Sequence, residues 1–143
     1  MQVHEKSVIV NAPVHEVFEM WRNWEDFPKY MHHIKRVSRL DDNLWHWEGN
    51  VGGMDEKWDA RTTEVVPDRA IGWESVSGFK TRGEIRFDDV EGRTKVTVHF
   101  EYEPPVGVAG RAVDAIYMGK QFDRSLEHDL GDFKSQVEIE QGD

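Results

Sequence analysis

Over residues 109–137 apolar side chains recur in steps of three or four: Ala109, Val113, Ile116, Gly119, Phe122, Leu126, Leu130, Phe133 and Val137. That spacing keeps one stripe on one side of a helix. Arg111, Asp114, Arg124, Glu127, Asp132 and Lys134 fall on the other side, which suits water. Pro104-Pro105 marks where the helix can begin. A residue before proline is driven to extended conformations, whereas proline itself can open a helix. At 1.5 Å per residue the helix is roughly 43 Å long. A compact chain of 143 residues has an expected diameter just under about 40 Å. The helix therefore spans the whole domain, and its stripe requires an apolar surface equally broad.

The remaining sequence supplies a sheet. Residues 3–10 are rich in β-branched side chains and predict a first strand. Asn11-Ala12-Pro13 is a helix-start signal, an Asn cap followed by proline, and Val14, Val17, Phe18 and Trp21 then sit at helical spacing. Residues 23–31 predict a second short helical turn, broken near Pro28. From residue 34 to 102 the period becomes two, with strands expected at 34–40, 45–51, 56–65, 70–76, 79–87 and 95–102. Asp41-Asp42-Asn43, Gly52-Gly53, Pro67-Asp68, Ser77-Gly78 and Glu91-Gly92 separate them as turns. Connections this short make successive strands pair antiparallel. Phe79, Thr81, Gly83, Ile85 and Phe87 share one face, and Val96, Val98, Phe100 and Tyr102 share another. The fold class is α+β: a seven-stranded curled antiparallel sheet around a long C-terminal helix, with two short helices after the first strand. Residues 1–143 form one domain.

Composition narrows the function. Eighteen basic against 28 acidic side chains leave a net charge of −10, which repels nucleic acid and anionic membranes. There is no cysteine, so disulfides and thiolate chemistry are excluded. No apolar run approaches the ~18 residues of a membrane span, and the amino terminus lacks a secretory signal, so a cytoplasmic location is expected. Lys29, Lys35, Arg36 and Arg39 make one locally basic segment, read as a solvated surface. Six Trp and seven Phe are more than a small core needs in so polar a chain, and suggest flat surfaces lining a space. A curled sheet around a helix carrying Ala109, Ala112 and Gly119 closes off more volume than that narrow stripe fills. A cavity between sheet and helix follows.

The order of elements resembles the helix-grip fold of the START-like (SRPBCC) superfamily, which includes polyketide cyclases, lipid-transfer domains and coenzyme Q-binding proteins. The resemblance rests on Ala12-Pro13-Val14-x-x-Val17-Phe18, Trp24-x-Asp26-Phe27-Pro28, His46-Trp47, Trp58-x-Ala60 and Trp73-x-Ser75-x-x-Gly78. Gly83-x-Ile85-x-Phe87, Tyr102-x-Pro104-Pro105 and Leu130-x-x-Phe133-Lys134 continue it. Membership implies a hydrophobic ligand cavity but no particular reaction, because one fold hosts carriers, enzymes and protein-binding modules.

Strand parity and the helix stripe predict a cavity lined by Trp47, Trp58, Trp73, Ser75, Phe87, Phe100 and Ile116. Glu56 shares a face with Trp58 and is expected at the cavity mouth. Tyr102 and Tyr117 are possible proton donors, although buried tyrosines more often serve as walls with a satisfied hydroxyl. Gly119, on the stripe, either bends the helix or leaves room for ligand. His46, Glu48 and His99 are expected to face solvent. His32 and His33 are adjacent and diverge on a regular element, and no ligand spacing is evident, so neither a metal centre nor a cofactor is expected. Ser75 lacks a histidine base and is a poor nucleophile. With no inward acid–base pair, the expected function is binding or carriage of a hydrophobic small molecule (a lipid, quinone or polyketide-like compound). The alternatives are a cyclase/dehydrase enzyme and a protein-partner module.

Overall fold

In the computed structural model, which describes residues 1–104 and 112–141, strand β1 (Gln2–Val10) leads into helix α1 (Val14–Arg22). A 3-10 turn (Trp24–Asp26) and the one-turn helix α2 (Phe27–Tyr30) follow. Then come β2 (Ile34–Asp41), β3 (Leu44–Val51), β4 (Met54–Val66), β5 (Ala70–Gly78), β6 (Thr81–Val90) and β7 (Arg93–Tyr102). Helix α3 (Ala112–Gln141) ends the described chain. Pro105, Ala109 and Arg111 of the expected helix start lie outside the described residues, as do the side chains of Ala112, Val113 and Asp114.

One antiparallel sheet holds all seven strands in the order β1-β7-β6-β5-β4-β3-β2. Five successive hairpins build the meander, and β1 closes on its last strand with Gln2 opposite Tyr102 and Val8 opposite Val96. The sheet curls around α3 in the helix-grip arrangement. Along β1 the inward positions begin polar, at Gln2, His4 and Lys6, and end apolar, at Val8 and Val10. The polar half meets α3 through the Gln2 amide, which donates to the Ala115 carbonyl at 2.8 Å, and through His4, 2.7 Å from Asp123.

Two local signals are used differently from the sequence reading. Helix α1 starts without a side-chain cap, and the Asn11 backbone N–H instead donates to Glu138 on α3. Pro28 lies in the first turn of α2, so it opens that turn rather than breaking it.

The buried side of α3 carries Met118, Phe122, Leu130, Phe133 and Val137. Ile116, expected on that side, is 58 % exposed. The steps 116–119–122 are both three residues long, and at about 100° per residue they swing Ile116 about 120° away from Phe122. Met118, four residues before Phe122, takes the inward place. It meets Gly52 in the β3–β4 turn, where φ is +60° and a Cβ would collide with the Met118 side chain. The short helices close one end. Phe18 packs edge-on against Phe87 with centroids 5.5 Å apart, and Trp21 lies 4.9 Å from Phe133. Burying each such ring stabilises the fold by about 1.5–3 kcal/mol.

Candidate functional site

A cavity of about 110 Å³ lies between the inner face of the sheet and α3. One water needs only about 10–15 Å³. The strands contribute Trp47, Trp58, Trp73, Val98 and Phe100 to its wall, and α3 contributes Phe122 and Leu126. Trp21, Trp24, Phe27 and Met31 close it from the side of α1 and α2. Trp47 and Trp58 sit opposite each other in the β3–β4 register, and their rings stack at 6.1 Å with planes 4° apart. Phe100 lies 4.7 Å from Phe122 and 5.5 Å from Trp73. The wall is almost wholly apolar. Its polar members are His33, Asn50, Ser125 and Asp129.

Of the residues expected at the site, Trp47, Trp58, Trp73 and Phe100 stand in this wall. The others have different work. Phe87 is fully packed against Phe18 and Trp21 behind the wall. The Ser75 hydroxyl accepts a hydrogen bond from the Thr81 N–H at 3.0 Å, tying β5 to β6. Tyr102 is completely buried outside the wall, and its hydroxyl donates to Gln2 Oε1 at 3.0 Å. That burial, helped by Asp123, pushes the phenol up to about 12. Glu56 is half-buried opposite Gly49 and does not reach the wall; burial first, then Asp55, raises its carboxyl above the ordinary value. Ile116 points to solvent. Gly119 faces β1 rather than the cavity: a Cβ there would come within 2.5 Å of Gln2 Oε1. The glycine makes room for Gln2, not for ligand. Tyr117 is 63 % exposed, and its hydroxyl accepts from Gln121.

The outer face of the sheet carries His46 between Asp59 (2.7 Å) and Glu48 (3.0 Å), and the Asp59 hydrogen bond is the main cause of its raised pKa. His99 bridges Glu5 and Glu101 on the same face.

An inward acid–base pair, which sequence reasoning missed, is present. His33 Nδ1 donates to Asp129 Oδ1 at 2.8 Å; Asp129 is 6 % exposed, and both residues belong to the cavity wall. The partners are 96 positions apart, so no local pattern announces them. Asp129 lies beside Leu130 on the buried side of α3, on a stripe read as purely apolar. His32 and His128 also converge there, with Asp132. The expectation that His32 and His33 diverge fails, because the turn before β2 carries both onto the same part of α3. His128 and Asp132, four apart on one helix, were the visible signal.

An uncharacterised 17.2 kDa protein from the melC2–rnhH intergenic region of Streptomyces lincolnensis is 31 % identical over 138 residues, 94 % of this chain and 88 % of that protein. The fold is similar to that of the Zhui aromatase/cyclase from Streptomyces sp. R1128, with a TM-score of 0.80, 19 % identity and coverage of 96 % of this chain and 93 % of the other. It is also similar to a START superfamily protein from Mycobacterium smegmatis, with a TM-score of 0.77, 18 % identity and coverage of 96 % and 97 %. At these identities the solved structures speak for the fold alone. Residues 10–130 match the family described as polyketide cyclase / dehydrase and lipid transport, and the chain belongs to that family.

Proposed function

We propose that this protein binds a flat, largely apolar small molecule carrying at least one acceptor oxygen, of quinone or polyketide-like type, in the cavity between sheet and α3. The carrying observation is the aromatic wall of Trp47, Trp58, Trp73, Phe100 and Phe122 around space that side chains leave unfilled. Concave, mostly apolar sites with few polar groups suit such ligands. The acceptor is suggested by Trp21, a wall residue whose indole Nε1–H is buried without a hydrogen-bond partner. Buried indole N–H groups ordinarily find one, and a ligand carbonyl would supply it.

The test compares 1,4-naphthoquinone with naphthalene by tryptophan quenching. Wild type should bind the quinone more tightly, and Trp21→Phe should weaken the quinone by about three- to tenfold, as loss of one hydrogen bond implies, while sparing the hydrocarbon. Absence of binding by either probe would count against the cavity reading.

A second reading is favoured by His33 and Asp129. A carboxylate that accepts from Nδ1 leaves Nε2 as the basic nitrogen, the arrangement of a general base with its orienting partner. In cyclase or dehydrase chemistry, His33 would take a proton from a carbon next to a ligand carbonyl. Turnover of a polyketide-like substrate that disappears in His33→Ala, with binding retained, would support this over simple carriage.

A further inference from the structure

We propose that His32, His128 and Asp132 form a binding site for a first-row divalent transition metal at the edge of the cavity. His32 Nδ1 lies 2.9 Å from Asp132 Oδ2, and His128 Nδ1 lies 3.3 Å from the same oxygen. All three donor atoms are within 4.8 Å of one another. Ligands bound at about 2.0–2.1 Å in a tetrahedral shell stand about 3.3 Å apart, so the spacing suits one ion. Two imidazoles and one carboxylate are a donor set for zinc, iron, cobalt or nickel, and three protein ligands leave a position for water or another oxygen donor.

The hydrogen bonding separates this trio from an ordinary ion-pair cluster. Asp132 Oδ2 is buried and accepts no hydrogen bond, although two ring nitrogens approach it. A buried carboxylate oxygen without a hydrogen bond and two ring nitrogens converge on one point, which a cation would fill. The overlapping trio of His33, His128 and Asp129 is the weaker candidate, because His33 Nδ1 already donates to Asp129. The site is also built economically. His128 and Asp132 lie one turn apart on α3, while His32 comes from the turn that leads into β2. Asp129 Oδ1 is 3.8 Å from His128 Nδ1, so the ion would stand beside the polar edge of the cavity.

The experiment uses the intact protein, stripped with chelator, dialysed and titrated with Zn²⁺ by calorimetry, with Co²⁺ absorption as the report on ligand geometry. One equivalent should bind in the low-micromolar range or tighter. His32→Ala and His128→Ala change side chains that are 62 % and 63 % exposed, so the fold should survive them. Each of them, and Asp132→Asn, should weaken Zn²⁺ by at least about tenfold. His15→Ala, at the separate exposed His15–Asp68 pair, should leave binding unchanged. Failure of the wild type to bind one equivalent would overturn the proposal. So would full affinity in both His128→Ala and Asp132→Asn, or loss in Asp129→Asn with none in Asp132→Asn.

Discussion

Gln2 Oε1 accepts the hydroxyl proton of Tyr102 at 3.0 Å, and the same amide donates through Nε2 to the carbonyl of Ala115 on α3. One side chain from the second residue of the chain thus joins the edge strand, the last strand and the helix. It also occupies the space beside Gly119.

That relationship predicts a sign change. In the wild type, Gly119→Ala gains up to about 1 kcal/mol of helix propensity. It displaces Gln2, however, and leaves the buried Tyr102 hydroxyl without its acceptor, a loss of about 1–3 kcal/mol. Net destabilisation of about 1 kcal/mol is expected. In a Gln2→Ala background the hydroxyl is already orphaned, so Gly119→Ala should become neutral or stabilising. Urea denaturation of the four proteins of this cycle measures the coupling; an additive cycle would refute the contact.

Leu126 is a partly buried wall residue on α3. Leu126→Phe extends a ring into space that already exists. The thermal midpoint should change little, while affinity for 1,4-naphthoquinone should fall at least about tenfold, or about 1.4 kcal/mol. Unchanged affinity would place the ligand elsewhere.

Glu56 gives a pH dependence. Its folded-state pKa is raised, so the native protein holds a proton that the unfolded chain has released at pH values just above 4.5. Stability therefore falls as pH rises from 4.5 through the raised value, and the charged form is a liability at neutral pH. Glu56→Gln should raise the melting temperature at pH 7, with the advantage vanishing below pH 4.5. An advantage that grows on acidification would reverse this assignment.

Thr94 Oγ1 donates to the Ala12 carbonyl at 2.8 Å, and Thr94 is completely buried. Thr94→Val keeps the shape and strands that carbonyl, at an expected cost of about 1–3 kcal/mol. Chemical denaturation would show it as a lower midpoint with an unchanged slope.

What the sequence by itself determined is what depends on neighbours a few residues away. The period of two from β2 to β7 and the short turns between strands dictate an antiparallel meander. The spacing from Phe122 to Val137 dictates a long amphipathic helix. The aromatic excess pointed to a lined space, and parity selected Trp47, Trp58, Trp73 and Phe100 as facing inward. Only the tertiary structure decided what stands opposite each inward face. Pairing of β1 with β7 brings Gln2 to Gly119, which removes that glycine from the cavity. The helix phase puts Met118 inside and Ile116 outside. The placement of α1 turns Phe87 into a core residue and Trp21 into a wall residue. His33 meets Asp129, and His32 meets His128 and Asp132, because a turn and a helix remote in sequence pack together. Local periodicity sets the face on which a side chain emerges. The curl of the sheet and the seating of the helix set its partner, and the chemistry of the site depends on that partner.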